Sequence, residues 1–347
     1  MLLGKEKISL LHLPTPLEYL SNISGDLGVN IYIKRDDLTP LALGGNKLRK
    51  LEYFAKDALD KGATMLLTVG GAQTNHGRLT CAVARKLGLK GSIVAVDDYP
   101  GELSANLLLD GMMGCDVWLK SPDGVHTEDE LFDEAVETVT KHKEEQGEKV
   151  YYIPVGGSNE LGILGYYECA MEIAEQVKEM NIENPRLVST VGSMGTYMGL
   201  FIGILRENLP LRLTGIAISP KAIGIQNYAK NYFDKVCDYY NWGDEAKDSV
   251  KAETFDMTSD YDRGAYNNPS KEVRDAMYYM AEREGIILDP CYTGKCFAGL
   301  VEMIKEGKIA KGENIIFLHT GGAPGINTPF HRIEIEKERE KYMHIMK

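Results

Sequence analysis

The feature that most constrains this chain is an alternation. Short apolar, β-rich runs are each followed by a stretch with helical patterning. The runs predict strands at 65–69, 92–96, 116–119, 151–155, 186–191, 213–218 and 314–319. Helical patterns lie between them at 74–87, 102–113, 128–145, after Gly162, and at 195–206. Strand and helix in alternation build βαβ units, whose parallel sheets must be covered on both faces. The expectation is an α/β protein. Its 347 residues suffice for two lobes. The turn-rich stretches Gly156-Gly157-Ser158-Asn159 and Asn184-Pro185 are the candidate crossings between them.

Composition excludes several classes of function. A formal net charge of -12 disfavours nucleic acid and anionic membranes as partners. No run approaches the roughly 18 consecutive apolar residues that a membrane span needs. The first residues lack a basic region followed by an apolar core, so no secretory signal is expected. Cys81, Cys115, Cys169, Cys237, Cys291 and Cys296 form no Cys-x-x-Cys pair. They read as reduced thiols of a cytoplasmic protein, with no disulfide frame and no metal site.

One lysine stands in an unusual setting. Lys47 follows a Gly44-Gly45-Asn46 turn and opens a helix-like run through Glu52. Glycine lets backbone approach a ligand closely. An amine presented there can attack a carbonyl, as a Schiff-base lysine does. A lysine beside a turn is ordinarily a solvated surface group, so the motif needs support from elsewhere.

Three Gly-rich turns supply it. Open α/β sheets bind ligands beyond the carboxyl ends of strands, at helix N-termini. The turn at Gly192-Ser193-Met194-Gly195-Thr196 can cradle a phosphate through its N–H groups and hydroxyls. It matches neither the dinucleotide fingerprint nor a nucleoside-triphosphate loop. At Thr74-Asn75-His76 a helix start can hold a carboxylate, although plain capping by Thr74 is the simpler reading. Thr320, ending a buried strand before Gly321-Gly322, can reach a ring nitrogen. Each turn alone could be an ordinary connection. Together they provide an amine, a phosphate cradle, a carboxylate cradle and a ring-nitrogen partner, the parts of a pyridoxal phosphate site acting on an amino acid.

With these residues in view, the chain resembles the D-cysteine desulfhydrase and 1-aminocyclopropane-1-carboxylate deaminase family. That family lies within the tryptophan synthase β-like, fold type II pyridoxal phosphate enzymes. The resemblance runs through Leu13-Pro14-Thr15-Pro16-Leu17, Lys34-Arg35-Asp36-Asp37, residues 44–52, 73–78 and 192–199, and Leu288-Asp289-Pro290-Cys291-Tyr292-Thr293-Gly294-Lys295. It implies two open, twisted, mostly parallel sheets flanked by helices. It also implies a large cofactor-binding domain (1–50 with 163–347), a small substrate-side domain (51–162), and a homodimer.

Residue by residue, the resemblance makes Lys47 the Schiff-base lysine and places Asn75 near the cofactor's 3′-oxygen. Gly192, Ser193, Met194, Gly195 and Thr196 become the phosphate loop, and Thr320 the partner of the pyridine nitrogen. Thr74, Asn75 and His76 become the substrate-carboxylate site, with Tyr266 and Tyr292 as active-site tyrosines. Asp36, Asp37, Arg49 and Lys50 read as structural ion pairs or solvated charges. Lys295 lacks the Gly-Gly-Asn setting of Lys47.

Three positions depart from the family pattern. Thr74 stands where serine is usual, adding a methyl group. Met194 replaces a glycine, so a left-handed backbone there would be strained. Asn267 follows Tyr266 in place of glycine and tolerates that conformation better than most residues. One further choice separates the two activities. The deaminases resembled carry glutamate after the tyrosine, where this chain has Thr293. A neutral side chain would not support protonation of the pyridine ring.

The expected activity is therefore β-elimination from a small amino acid. Foremost is D-cysteine, giving pyruvate, sulfide and ammonia. Deamination of 1-aminocyclopropane-1-carboxylate to 2-oxobutanoate is the alternative, with D-serine and cysteate as further substrates. A non-catalytic amino-acid sensor and a nicotinamide oxidoreductase are the remote readings.

Overall fold

A computed structural model describes residues 1–346. All six residues of Met65–Gly70 are buried, as expected of a central parallel strand covered on both faces. Among the described residues, ten strands form two sheets. They are β1 (Leu17–Tyr19), β2 (Asn30–Arg35), β3 (Met65–Gly70), β4 (Lys90–Val96), β5 (Asp116–Lys120), β6 (Val150–Ile153), β7 (Arg186–Val191), β8 (Arg212–Ala217), β9 (Met257–Thr258) and β10 (Asn314–His319). One sheet is all parallel, in the order β5-β4-β3-β6. The other runs β1-β2-β10-β7-β8-β9 and is parallel except where β1 pairs with β2.

The expected strands all appear, with ends shifted by at most two residues. The helix expected at 102–113 is shorter, Ala105–Met112. Three strands went unread: β1, β2 and β9. β2 carries Lys34 and Arg35, which look exposed in sequence, yet Lys34 is fully buried. Its ammonium is bound by the Thr15 carbonyl at 2.7 Å, by Gln176 at 2.6 Å and by Glu172.

The Lys47–Asp60 helix packs between the two sheets. Leu48, Leu51 and Phe54 on it are buried in one cluster with Leu66, Leu79 and Ile153 on one side and Leu164 and Met198 on the other. Each such side chain contributes about 1.5–3 kcal/mol by leaving water. Gly165 brings the Leu164–Glu179 helix against the backbone of this helix, since a Cβ there would lie 2.4 Å from the Arg49 carbonyl oxygen. Arg49 anchors the contact. Its guanidinium binds Asp36 at 2.8 and 2.9 Å and Glu172 at 2.9 Å twice. Among the described residues no helix is long and apolar enough to cross a membrane, and no His/Cys/Asp/Glu group could hold a metal ion.

Candidate active site

Lys47 is presented by a strained loop. Ala42, Leu43, Gly44 and Gly45 have φ of 41°, 66°, 69° and 134°. For Ala42 and Leu43 that region costs about 1–2 kcal/mol each. Gly44 is required, because a Cβ on it would lie 1.9 Å from the Asp37 carbonyl oxygen. The loop is held from several sides. Thr39 Oγ1 accepts from the Gly45 N–H at 2.8 Å and donates to the Gly45 carbonyl at 3.0 Å. Arg78 donates to the carbonyls of Ala42 and, at 3.1 Å, of Gly44. The Asn46 N–H donates to the Thr320 carbonyl at 3.0 Å. Lys47 then begins the helix, and burial pulls its ammonium down to about 8.

Beside it lies the turn from β7 into the Gly195–Glu207 helix. Asn46 Nδ2 donates to Thr196 Oγ1 at 3.0 Å, so the lysine loop and this turn are joined directly. Ser193 Oγ and Ser158 Oγ are 2.8 Å apart. Met194 has φ 70° and ψ −29°, so it does adopt the left-handed backbone that would be strained for methionine.

Lys50 completes the group and corrects its sequence reading: it is neither solvated nor ion-paired. It is fully buried, and its Nζ reaches the Gly156 carbonyl at 3.1 Å and Ser158 Oγ at 3.2 Å. A Cβ on Gly195 would meet Ser158 Oγ at 2.5 Å and Lys50 Nζ at 2.8 Å, so the cradle depends on glycine. No carboxylate lies within salt-bridge distance of Lys50 among the described residues. Burial, then the neighbouring Lys47 charge, push its pKa well below the usual lysine value. A buried lysine without an anion, beside a helix N-terminus, fits a phosphate dianion, which would hold its ammonium form. The residues present therefore fit pyridoxal phosphate.

The third turn opens the Asn75–Lys86 helix. Thr74 Oγ1 accepts from the Gly77 N–H at 3.2 Å, which is the capping role. Asn75 Oδ1 accepts from Asn106 Nδ2 at 3.0 Å, and Asn106 also donates to the Gln73 carbonyl at 2.7 Å. The His76 ring is buried beside Gly157. Burial, with the charges of Lys47 and Lys50, keeps it neutral. What this residue offers an anion is its backbone N–H.

Tyr266 and Tyr292 face one another, their hydroxyls 2.5 Å apart. Both line a cleft of 320 Å³ together with Gln73 and Asn75. The Tyr292 ring lies 3.4 Å from the Cβ position of Gly192, which ties the tyrosines to the phosphate turn. Thr293 is fully buried and donates to Asp289 at 2.6 Å. Lys295 is occupied by the carbonyls of Ile218, Asp262 and Ala265. Thr320 is buried at the lysine loop, and its hydroxyl makes no protein hydrogen bond among the described residues. Asn267, at φ 60°, accepts through its Oδ1 from His331 Nε2 at 2.8 Å.

Sequence reasoning missed Lys50, Ser158, Arg78 and Asn106. Lys50 did carry a signal: it is three residues beyond Lys47 and so shares its helix face. Ser158 stood in a stretch read only as a crossing.

Comparison with known proteins agrees with this chemistry. The profile of the family described as pyridoxal-phosphate dependent enzyme matches residues 8–321. A Thermotoga maritima protein named putative 1-aminocyclopropane-1-carboxylate deaminase is 39% identical over 329 residues, covering 94% of this chain and 99% of its own. A Klebsiella pneumoniae D-cysteine desulfhydrase is 39% identical over 331 residues, covering 92% and 95%. The crystal structure of an ACC deaminase homologue superposes with a TM-score of 0.82 at 37% identity, over 96% of each chain. A tomato (Solanum lycopersicum) threonine deaminase, 20% identical with a TM-score of 0.65 over 96% of this chain and 85% of its own, shares the fold. With Lys47, the Lys50 cradle and a matching profile over most of its length, this chain belongs to the pyridoxal-phosphate dependent enzymes.

Proposed function

We propose that the chain is a lyase catalysing β-elimination from a small amino acid, with D-cysteine as substrate and pyruvate, sulfide and ammonia as products. Pyridoxal phosphate, when bound, supplies a conjugated system that takes up the electron pair left at the substrate α-carbon. Lys50, Ser158, Ser193 and the N–H groups of the 192–196 turn would hold its phosphate. Lys47 would hold its carbonyl carbon, Asn75 its 3′-oxygen and Thr320 its ring nitrogen.

The protein groups divide the remaining work. The Asn75 and His76 N–H groups, at a helix N-terminus, hold the substrate carboxylate. Lys47, with an ammonium lowered to about 8, supplies a free amine close to neutral pH and takes the α-proton at Nζ. Burial pushes the Tyr292 phenol above its usual range, so it stays protonated and donates, with Tyr266, toward the leaving group. The proposal includes the division into a cofactor-binding domain (1–50 with 163–347) and a substrate-side domain (51–162), a homodimeric assembly and a cytoplasmic location.

The observation that carries the choice of substrate is Thr293. A neutral residue turned toward Asp289 stands where the deaminases resembled carry glutamate. Deamination of 1-aminocyclopropane-1-carboxylate is the second reading, because relatives named for either activity are equally similar at 39% identity. The test is product release by the cofactor-loaded protein from D-cysteine, L-cysteine, D-serine and 1-aminocyclopropane-1-carboxylate, with Lys47→Ala as control. Sulfide and pyruvate from D-cysteine support the proposal. 2-Oxobutanoate from the cyclopropane substrate, with silence on D-cysteine, replaces it by the second reading.

A further inference from the structure

Arg78 lies on the fourth residue of the Asn75–Lys86 helix, below the Thr74–His76 start. It is fully buried, yet no carboxylate hydrogen-bonds to it among the described residues, and its Nε has no partner. The carboxyl that faces it, Asp110, is buried with both oxygens unpartnered, and burial raises it to about 8, so it does not balance the guanidinium at neutral pH. Burial brings the Arg78 guanidinium down to about 10, so its charge persists at neutral pH at a cost in lost solvation. If only packing mattered, an apolar side chain of similar volume would serve as well or better. What the guanidinium does instead is donate to the carbonyls of Ala42 and Gly44. Those residues belong to the left-handed run at 42–45 that ends two residues before Lys47.

We propose that Arg78 is a positioning residue for Lys47: it locks the 42–45 loop in its strained conformation and so sets where the Lys47 amine points. One helix then carries both the expected carboxylate site at its start and the clamp on the lysine loop, so the two are held in one register. Loss of the clamp lets Ala42 and Leu43 relax toward ordinary backbone. Asn46 and Lys47 follow, because they continue the same segment without a break.

The inference rests on Lys47 being the cofactor lysine, and the experiment separates the two. Purified Lys47→Ala, Arg78→Met, Arg78→Lys and Arg274→Met are loaded with pyridoxal phosphate. Arg274, paired with Glu338 at 2.8 Å and hydrogen-bonded to neither the 42–45 loop nor the 192–196 turn, controls for lost stability. Three readouts are taken: the rate of cofactor loading, the pH midpoint of the bound cofactor's absorbance change, and kcat against KM. Arg78→Met is expected to load at least tenfold more slowly and to move the midpoint by half a pH unit or more. Its kcat is expected to fall at least tenfold with KM within threefold. Arg78→Lys, keeping one donor, recovers part of each, while Arg274→Met changes only melting temperature.

Wild-type loading and midpoint in Arg78→Met overturn the inference whatever its stability, as do changes matched by Arg274→Met. Should Arg78→Met fail to fold, Thr39→Val removes the other side-chain grip on the 42–45 loop, at Gly45, and must show the same signature. An unchanged midpoint and loading rate there overturn the inference equally. Covalent loading that survives in Lys47→Ala removes the premise, and the inference with it.

Discussion

Lys47 and Lys50 stand one helical turn apart on the same face of the Lys47–Asp60 helix, and no carboxylate balances Lys50. Two buried amines side by side are unfavourable in the protein alone. The arrangement makes sense only with an anion between the helix and the 192–196 turn.

Lys50→Met is therefore expected to leave the cofactor-free protein as stable as before, or more so, since a buried amine that lacks an anion is replaced by an apolar side chain. Pyridoxal phosphate affinity should fall by at least tenfold, because a charge-assisted hydrogen bond is worth about 1.5–3 kcal/mol. Binding of pyridoxal, which lacks the phosphate, should not change. Absorbance titrations with the two ligands decide the matter. An equal loss for both would place Lys50 outside the phosphate site.

Lys47 should reveal its lowered pKa through loading. Only the free amine reacts, so the loading rate should rise as pH passes through about 8 and level off above it. An ordinary lysine would still be gaining rate two units higher. The same shift has a stability consequence in the cofactor-free protein. Between about 8 and 10.5 the unfolded chain keeps a proton that the folded lysine has lost, so stability increases with pH across that window. A stopped-flow pH series on the cofactor-free protein checks the first point and urea unfolding the second.

How much of this was legible depended on distance along the chain. Strands such as Met65–Gly70 announce themselves, because a fully buried parallel strand is a continuous apolar run. β2 does not, because Lys34 is buried by Glu172 and Gln176 on a helix far along the chain, which no local pattern reveals. Lys47 is marked by its glycines. Lys50 is hidden for a different reason: a lone buried lysine reads as a solvated one unless the phosphate that explains it is already in mind. Arg78 sits in the open in the Gln73–Arg78 segment, but its partners are bare carbonyls of a loop whose left-handed course sequence cannot show for Ala42 and Leu43.

The cleft between Tyr266 and Gln73 also carries Asp97 and Asp98 and, among the described residues, no lysine, arginine or histidine. A substrate with a second negative charge meets repulsion there. A partly exposed charge pair is worth up to about 1 kcal/mol. Cysteate should therefore show a KM several-fold above that of D-serine, with the gap narrowing as salt is added. A cysteate KM at or below that of D-serine would contradict the expectation.

The Asp36–Arg49–Glu172 cluster fixes the helix that carries both lysines. Burial raises the Asp36 carboxyl, but Arg49 more than compensates and holds it below the usual range; Glu172 behaves likewise. Such depressed groups stabilise the fold fully above the unfolded carboxylate value of about 4, and the contribution is lost as pH falls through the folded values. Arg49→Met leaves Asp36 buried without its partner and should cost about 3–5 kcal/mol at pH 7. The difference from wild type should shrink as the pH drops below 4. Urea unfolding at pH 7 and pH 3.5 measures both, and a constant difference would assign the stability to packing instead.

Met194 opposes two terms that can be weighed. Its left-handed backbone, φ 70°, costs about 1–2 kcal/mol relative to glycine. Its side chain is 2% exposed and packs in the same cluster as Val191, Tyr197 and Met198. Deleting a buried side chain of that size costs about 2–5 kcal/mol, so packing wins. Met194→Gly should therefore lower stability by about 1–3 kcal/mol although it relieves strain. The backbone N–H at this position survives the change, so pyridoxal phosphate affinity should stay within about threefold of wild type, less than the loss of one ordinary hydrogen bond. Thermal unfolding of the cofactor-free variant and an absorbance titration test the two halves separately. A stabilised variant would mean that the strain exceeds the packing, and that methionine is kept in this turn for its effect on the cofactor.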